Sequence, residues 1–471
     1  MNTPYPVRNP RTGQFDYSFQ PLTDQQIGAC CTGVRTAQTG WATAGIDHRI
    51  AVLQRWKTAY GRHKPALIDA LVLDTGRRIE SVLEADLLER SIDRWCGMAA
   101  DFFSQNRTKT ASIPFISIEQ DEVPFSVVGV ISPWNFPLLL AMIDTLPALL
   151  AGCGVVVKPS EVTPRFIEPL MQSIADVPEL AGVLTFIAGD GQSGADLLQY
   201  VDLVCFTGSV ATGKRVYQVA ANRFIPCFLE LGGKDAALVF AGADLDRASS
   251  SILWGSTVNC GHSCLSIERV YVQDSIFEAF VEQLRAKAER VQLARPGLND
   301  GQIGPVISDR QVTIINEHLR DALGKGAQIL TGSTHCEQYD GGYWCRPTVL
   351  INVTSDMKIM TDETFGPIIP VMAFHTEEEA IQLANGTAFG LSGAVFAQTT
   401  DEAMRIGKQL EVGAISINDC ALTAMIQDGE KNSFKGSGLG GTRMGPGSIR
   451  RFMRQRAFLI NHSPAASPWW F

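Results

Sequence analysis

Residues 203–214 read Leu-Val-Cys-Phe-Thr-Gly-Ser-Val-Ala-Thr-Gly-Lys, an apolar run that passes through a glycine-containing turn. The run Leu203–Phe206 predicts a buried strand, and Gly213–Asn222 predicts the helix that follows it. Glycines let backbone N–H groups approach an anion, and a helix N-terminus adds about half a positive charge. The stretch therefore predicts a phosphate-binding turn inside an α/β unit.

The same alternation of strand and helix extends in both directions. Strands are predicted at 112–118, 125–131, 155–158, 184–187, 236–240, 268–272, 328–330, 348–350, 369–372 and 413–417. Helices are predicted at 164–175, 245–258 and 275–291, and residues 23–107 carry the pattern of two or three amphipathic helices. Strands that alternate with helices predict an α/β fold with largely parallel, doubly wound sheets in two successive domains.

The composition narrows the class of protein. A chain of 471 residues with 45% hydrophobic and 19% charged residues is globular, and its net charge of −9 gives no support for nucleic-acid binding. Eleven cysteines without a repeating spacing indicate reduced thiols, and the polar N-terminus lacks a secretory pattern, so a cytoplasmic location is expected. Residues 138–157 are long enough to span a membrane, but Asp144, Pro147 and two glycines favour a buried helix followed by a buried strand. No membrane partner is expected.

Two glycine-rich stretches imitate nucleotide motifs. Gly208, Gly213 and Lys214 match most of a Walker A loop, but Arg215 stands where that motif needs Ser or Thr for Mg²⁺. A plain strand–helix turn is the other interpretation of this stretch. Residues 436–441 spell G-x-G-x-x-G, yet no strand closely precedes them, so residues 429–447 are interpreted as a long loop.

Three further residues suit covalent chemistry. Cys264 ends Asn259-Cys-Gly-His-Ser-Cys264, and because no second Cys/His pair has zinc spacing, no metal site is expected. A turn of this kind can expose a thiolate to backbone N–H groups, although a buried inert thiol is the alternative. Glu230, ahead of Gly-Gly, suits a general base or a salt-bridged acid. Asn135, between two prolines, suits an oxyanion donor or a simple turn.

Taken together, these motifs resemble the aldehyde dehydrogenase superfamily. The motifs that carry the resemblance are Pro133-Trp-Asn-Phe-Pro, Lys158-Pro-Ser-Glu, Phe206-Thr-Gly-Ser, Glu230-Leu-Gly-Gly-Lys, Cys264, Glu363-Thr-Phe-Gly-Pro and Asn385 with Gly390-Leu-Ser-Gly. They span residues 9–440 in the family's order. The resemblance implies a non-acylating, hydrolytic enzyme with a Rossmann-like NAD(P) domain (1–105 and 126–231), an α/β catalytic domain (232–440) and a small β-ribbon oligomerisation element (106–125 and 441–471), as a homodimer or homotetramer.

The resemblance also implies residue roles. Cys264 matches the nucleophile, Glu230 the general base and Asn135 the oxyanion donor. The residues expected to bind the cofactor are Trp134, Lys158, Ser160, Glu161, Gly208, Ser209, Gly213, Leu231, Glu363 and Phe365. Glu161 favours NAD because its charge would repel the 2′-phosphate of NADP, although NADP use is also compatible with this motif.

The substrate pocket is expected to be apolar. Its predicted residues are Phe136, Leu140, Ile143, Ser263 and Leu422, with Met142, Met425 and Ile426 as further candidates. No Arg or Lys stands out among them, so a hydrophobic aldehyde, aromatic or long-chain, is expected rather than a small charged semialdehyde. Two other classes stay open: a non-catalytic binding protein on this fold, and a thiol hydrolase that uses Cys264 and His262 without a nicotinamide.

His262 and the aromatic tail carry two further hypotheses. His262 occupies a position where the family often has Gln, and it is either a turn donor or a group that lowers the pKa of Cys264. The tail Trp469-Trp-Phe471 is proposed to pack on a neighbouring subunit or to cover its substrate channel.

Overall fold

The first half of the chain forms a helical layer followed by a parallel sheet. A computed structural model describes residues 3–104, 108–467 and 469–470. The elements of the first half are β1 (Tyr5–Arg8), β2 (Phe15–Phe19), α1 (Asp24–Thr43), α2 (Ile46–Thr75), α3 (Ile79–Phe103), β3 (Thr108–Thr110), β4 (Ile116–Pro124), β5 (Val127–Ile131), α4 (Pro137–Ala151), β6 (Gly154–Lys158), α5 (Ile167–Ala175), α6 (Pro178–Ala181), β7 (Leu184–Phe186), α7 (Gly191–Leu197), β8 (Leu203–Thr207), α8 (Val210–Asn222) and β9 (Cys227–Glu230). Three helices before the sheet agree with the amphipathic pattern of residues 23–107.

The second half forms another α/β unit and ends in a long strand. Its elements are β10 (Asp235–Val239), α9 (Leu245–Thr257), β11 (Ile267–Gln273), α10 (Phe277–Ala288), α11 (Asp309–Gly324), β12 (Gln328–Thr331), β13 (Glu337–Tyr339), β14 (Gly342–Trp344), β15 (Thr348–Ile351), α12 (Lys358–Thr361), β16 (Ile368–Phe374), α13 (Glu377–Asn385), β17 (Phe389–Gly390), β18 (Ser392–Phe396), α14 (Thr400–Gly407), β19 (Ala414–Ile417), β20 (Phe434–Lys435), β21 (Gly438–Leu439) and β22 (Met453–Asn461). The predicted α/β fold class is confirmed.

Two large sheets organise these elements. One has the strand order β21-β9-β8-β5-β6-β7, and the other has the order β12-β15-β16-β11-β10-β18-β19. Strands β6, β8, β10 and β18 are buried at every residue. Such continuous apolar strands are typical of parallel sheets that helices cover on both faces. In the first sheet the chain order reverses at β5, which lies between β6 and β8, and a crevice opens at the carboxyl ends of strands at such a point.

A three-stranded antiparallel ribbon, β22-β4-β3, completes the fold. It corrects the strand predicted at 112–118, because β4 runs from Ile116 to Pro124 and pairs with β22 along its whole length. Pro114 has no N–H for a strand ladder, and the N–H of Ile116 donates to the carbonyl of Ile113 to close a turn instead. The division into three domains at residues 105, 125, 231 and 440 stays a prediction.

The segment of membrane-span length is a helix and a strand, as predicted. It forms most of α4 and most of β6, and Asp144 on α4 forms buried ion pairs with Arg443 at 2.7 Å and Arg451 at 2.6 Å. Across the described ranges, no helix is both long and apolar enough to cross a membrane. At the C-terminus Trp469 stacks on Phe115 with 5.9 Å between ring centres, whereas Pro468 and Phe471 lie outside the described residues.

Candidate active site

The carboxyl edge of the first sheet brings together residues from four strands. Trp134 and Asn135 follow β5, Gly208 follows β8, Lys158 ends β6 and Glu230 ends β9. The registers place Ile131 of β5 beside Lys158 and beside Phe206, and Thr207 beside Glu230. Because these strands are parallel and adjacent, the predicted cofactor residues and the predicted base share one crevice.

The turn after β8 is built as an anion site. Helix α8 spans 13 residues, and Ser209 caps it by accepting from the N–H of Thr212. A Cβ on Gly213 would lie 2.5 Å from the side chain of Leu231, so glycine lets the helix pack closely on the chain after β9 without displacing that side chain. The helix N-terminus therefore lies at the sheet edge, where it favours a bound phosphate.

Residues after β6 face the same crevice. Lys158 is buried at the end of the strand, and its Nζ lies 3.1 Å from Oε2 of the partly exposed Glu161. Ser160 tightens this turn because its Oγ accepts from the N–H of Val162 at 3.2 Å. Lys158 and Glu161 thus supply one cation and one carboxylate that can bind the hydroxyl groups of a ligand.

Gly232 and Gly233 bring Glu363 and the nucleophile loop together. A Cβ on Gly232 would lie 2.6 Å from Oε2 of Glu363, and one on Gly233 would lie 2.5 Å from the carbonyl oxygen of Cys264. The N–H of Gly233 donates to Oε1 of Glu363 at 3.0 Å. Burial and the nearby Glu268 raise the pKa of Glu363 to about 8.

An aromatic cluster lines the space beside these residues. The ring of His262 lies edge-on to Trp134 at 5.2 Å and stacks on Phe365 at 5.9 Å. Burial, with the charge of Arg77, lowers the pKa of His262 to about 3. Burial therefore favours the neutral imidazole, and the hypothesis that His262 lowers the pKa of the Cys264 thiol stays a prediction.

The predicted nucleophile follows a strained turn. Asn259 and Cys260 both have a positive φ, near 55°, in the turn that joins α9 to the loop of Cys264. Cys264 itself is partly exposed. Burial of the sulfur raises the pKa of its thiol to about 12, against the lowering effect of Lys431, while the carboxylates of Glu363, Asp235 and Glu230 raise it further.

This pKa predicts the pH dependence of alkylation. Far below its pKa a thiol gains thiolate about tenfold for each pH unit, and the thiolate is the reacting species. In enzyme without cofactor, the rate of Cys264 alkylation by iodoacetamide is therefore expected to rise about tenfold per unit from pH 7 to 9.5. Mass spectrometry of the Cys264 peptide measures this rate, and a plateau near pH 8 would contradict the assignment.

The predicted oxyanion donor is held from two sides. The backbone carbonyl of Asn135 accepts from Arg77 at 2.6 Å and from the side chain of Asn259 at 2.8 Å. Its side-chain Nδ2 donates to the carbonyl of His262 at 3.0 Å, two residues before Cys264. Asn135 is 3% exposed, so its amide is fixed against the nucleophile loop. No sequence pattern indicates the supporting roles of Arg77 and Asn259.

The predicted base is bound by residues of the predicted loop 429–447. Oε2 of Glu230 accepts from Oγ of Ser433 at 2.8 Å and lies 3.5 Å from Nζ of Lys431. The loop prediction is wrong in part, because β20 pairs with β17, and β21 pairs with β9 so that Gly438 lies opposite Glu230. Glu230 is thus a salt-bridged acid in this structure, and Lys431 is a cation that the sequence analysis missed.

The predicted substrate residues lie on three segments of the chain. Phe136 and Leu140 are half-buried at the start of α4, Ile143 is buried one turn later, and Ser263 precedes the nucleophile. Leu422 begins a separate short turn, Leu422–Ala424. Arg77 lies over the ring of Phe136 at 5.0 Å. These placements leave the lining of the pocket a prediction.

Comparison with known proteins defines the class. The aldehyde dehydrogenase family model matches residues 1–458. The chain belongs to the aldehyde dehydrogenase family, and it is an NAD(P)-dependent enzyme, as is typical of that family.

Individual relatives share most of their length with this chain. The 4,4'-diapolycopene aldehyde oxidase of a Methylomonas species is 36% identical over 86% of this chain and 76% of its own. The peroxisomal aminoaldehyde dehydrogenase 2 of Pisum sativum is 32% identical over 89% and 85%. A solved structure from Anabaena variabilis, provisionally named aldehyde dehydrogenase PutA, is 56% identical with a TM-score of 0.98 over the whole of both chains. Betaine aldehyde dehydrogenase of Staphylococcus aureus, solved with NAD⁺, is 30% identical with a TM-score of 0.92 over 99% and 93%.

The crevice fits a nicotinamide dinucleotide. The N-terminus of α8 supplies donors for phosphate, and Lys158 with Glu161 supplies polar groups for a ribose. Both ring nitrogens of His262 are buried without a hydrogen-bond partner, beside Trp134 and Phe365. A polar aromatic ligand next to these rings would meet that unpaired imidazole.

Proposed function

We propose that the enzyme oxidises an aldehyde to a carboxylic acid in two stages on Cys264, with Glu230 as the base of the second stage. The observation that carries this proposal is the convergence of three groups. The Asn135 amide contacts the loop of Cys264, and the carbonyl of Cys264 lies against Gly233, three residues after Glu230. A nucleophile, an oxyanion donor and a base in one crevice form the set that acyl transfer needs.

In the first stage the thiolate of Cys264 attacks the carbonyl carbon and forms a C–S bond. The π electrons move to the oxygen, and the Asn135 amide and the N–H of Cys264 hold the resulting oxyanion. A bound nicotinamide cofactor would supply the acceptor for the hydride that leaves this carbon. The oxyanion electrons then re-form the carbonyl, and Cys264 carries a thioester.

In the second stage Glu230 takes a proton from water, and the water oxygen attacks the thioester carbon. The C–S bond breaks, its electrons return to the sulfur of Cys264, and the carboxylic acid leaves. Glu230 releases its proton to solvent. The presence of this carboxylate in the crevice supports hydrolysis rather than transfer of the acyl group to a thiol such as coenzyme A.

The cofactor would lie along the sheet edge. The turn of Gly208 and Ser209 would hold the pyrophosphate, Lys158 and Glu161 the adenosine ribose, and Glu363 the nicotinamide ribose. Trp134 and Phe365 would bound the reacting end. NAD is proposed as the preferred form, because the Glu161 carboxylate accepts from a 2′-hydroxyl and repels a 2′-phosphate.

The variant Glu161→Gln tests this preference. It keeps the side-chain length and removes the negative charge, so the KM for NADP is expected to fall about tenfold, the effect of one nearby like charge, while the KM for NAD changes less than threefold. Initial rates with each cofactor at saturating aldehyde measure this. An unchanged KM for NADP would show that Glu161 does not face the 2′-position.

We propose a hydrophobic aldehyde, aromatic or long-chain, as the substrate. The support is the apolar character of Phe136, Leu140, Ile143 and Leu422. Phe136 directly follows Asn135, whose amide contacts the loop of Cys264. Lys431 favours a second candidate, an aldehyde that also carries a carboxylate, because its ammonium lies beside the reacting groups.

Reduction of NAD or NADP, followed by absorbance, separates these candidates. Benzaldehyde, a medium-chain alkanal and succinic semialdehyde are compared, with Cys264→Ala as the control for the chemistry. The hydrophobic proposal predicts that kcat/KM is highest for one of the first two aldehydes. Preference for the semialdehyde would overturn it and leave the two-stage mechanism in place.

A further inference from the structure

Lys431 is a buried cation whose ammonium has few hydrogen-bond partners among the described residues. Its side chain is 6% exposed, and among the described residues Glu230 is the carboxylate within 4 Å of Nζ, at 3.5 Å. An ammonium has three donors, and buried donors without partners are costly. A cation held in this way is available to a second anion in the crevice.

Backbone contacts on both sides of Lys431 hold its segment in place. The N–H of Lys431 donates to Oγ1 of Thr442 at 3.0 Å, and β21 pairs with β9 at Glu230. A Cβ on Gly413 would lie 1.7 Å from the carbonyl oxygen of Asn432, so the neighbouring residue is also packed tightly. The ammonium is therefore held beside Glu230 by a fixed loop rather than by a flexible one.

Anionic groups surround the nucleophile on several elements. Glu230 ends β9, Asp235 begins β10 and Glu363 precedes β16, and each of these carboxyls raises the pKa of Cys264. Lys431 lies among them, because its Nζ is 3.5 Å from Glu230, three residues before Gly233, against which the carbonyl of Cys264 lies. In agreement with this placement, Lys431 lowers the pKa of Cys264.

Two other cationic side chains nearby are already bound to other groups, and the nearby histidine is uncharged. Arg443 is buried and bound to Asp144 and to Thr207 at 2.7 Å, and Arg77 is bound to Glu84 and to the carbonyl of Asn135. His262 is neutral. The positive charge that a thiolate needs is thus concentrated on Lys431.

We propose that Lys431 is a positioning residue that serves both stages of the reaction: its ammonium orients the Glu230 carboxylate and supplies the positive charge that stabilises the Cys264 thiolate. Ser433 shares the first task through its 2.8 Å hydrogen bond to Glu230. This inference rests on the proposed roles of Cys264 and Glu230. It assigns the missed lysine to the enzyme's own reacting groups rather than to a carboxylate of the substrate.

Two measurements separate the two tasks without knowledge of the natural aldehyde. Alkylation of Cys264 by uncharged iodoacetamide, followed from pH 7 to 9.5, reports the thiolate. Hydrolysis of 4-nitrophenyl acetate reports both stages, because a burst of nitrophenolate follows acylation of Cys264 and the linear phase follows hydrolysis of the acyl-enzyme.

In Lys431→Met the alkylation rate is expected to fall about tenfold at every pH, as loss of one nearby cation predicts. The linear phase of ester hydrolysis is expected to fall at least as much. Lys431→Arg is expected to keep alkylation within about threefold of the original, because it keeps the charge. The matched control is Lys435→Met on the same loop, whose ammonium donates to the carbonyls of Asn385 and Thr387 and pairs with Glu411. Its alkylation profile is expected to stay unchanged.

Alkylation of Lys431→Met at the original rate would overturn the inference. So would a rise in the KM for succinic semialdehyde alone, which would make Lys431 a receptor for the substrate. Should Lys431→Met fail to fold, Ser433→Ala decides: the linear phase must slow while alkylation stays unchanged, and an unaltered linear phase overturns the shared positioning of Glu230. Activity that persists in Cys264→Ala would instead overturn the proposed function itself.

Discussion

Glu230→Gln is expected to complete one round of aldehyde oxidation and then to stop. The first stage needs the thiolate, the Asn135 amide and the cofactor, whereas hydrolysis of the thioester needs a base for water. Removing a general base costs about 10²–10⁴-fold in rate. The expected result is a burst of NADH close to one equivalent of enzyme, followed by turnover about 10²–10⁴-fold slower than in the original enzyme. Rapid-mixing absorbance measures both phases.

The variant Glu230→Gln changes little besides the charge of the side chain. Glutamine keeps the hydrogen bond to Ser433 and breaks only the ion pair with Lys431, so the local packing is retained. Addition of a strong external nucleophile such as hydroxylamine is expected to restore turnover by removing the acyl group. A variant that lacks the burst, or that turns over at the original rate, would contradict the role of Glu230.

Cys264→Ala is expected to abolish both oxidation and ester hydrolysis. No C–S bond can form without the sulfur, so neither the oxyanion at the Asn135 amide nor the thioester arises. Loss of a covalent nucleophile costs about 10³-fold or more, which places NADH formation below detection. Binding of NAD, followed by fluorescence quenching, is expected to persist because the phosphate turn after β8 is untouched.

A second cysteine gives the matched control for that variant. Cys30 on α1 is partly exposed, as Cys264 is, but lies on the helical layer of the first half. Cys30→Ala is expected to keep full activity. Activity retained in Cys264→Ala and lost in Cys30→Ala would reverse the assignment of the nucleophile.

The parallel strands were predictable because their signal is local. Runs such as 155–158 and 203–206 are continuous, apolar and β-branched, and helices separate them, which is the pattern of a covered parallel sheet. Gly208 directly follows such a strand and Asn135 lies four residues after another, whereas β9, which ends at Glu230, was not among the predicted strands.

The supporting contacts were not predictable because they join distant parts of the chain. Lys431 reaches Glu230 across 201 positions, and Arg443 reaches Asp144 across 299. For a lysine in a glycine-rich segment, no sequence pattern indicates which carboxylate its side chain contacts. The two-residue strand β21 places this segment beside Glu230. A strand of two residues is too short to show the alternation of apolar and polar residues that predicts a strand. The sequence alone therefore predicts a pocket without a nearby cation, whereas the structure places Lys431 beside Glu230.

The identity of the atom that carries the acyl group decides whether the two-stage mechanism operates. Glu230→Gln enzyme is mixed with NAD and benzaldehyde, or with the aldehyde that gives the highest rate, quenched in acid and digested. Mass spectrometry is expected to find the acyl group on the peptide that contains Cys264, in an amount that equals the NADH burst. A burst of NADH with Cys264 unmodified and the acyl group elsewhere, or free acid without any acyl-enzyme, would contradict the two-stage mechanism.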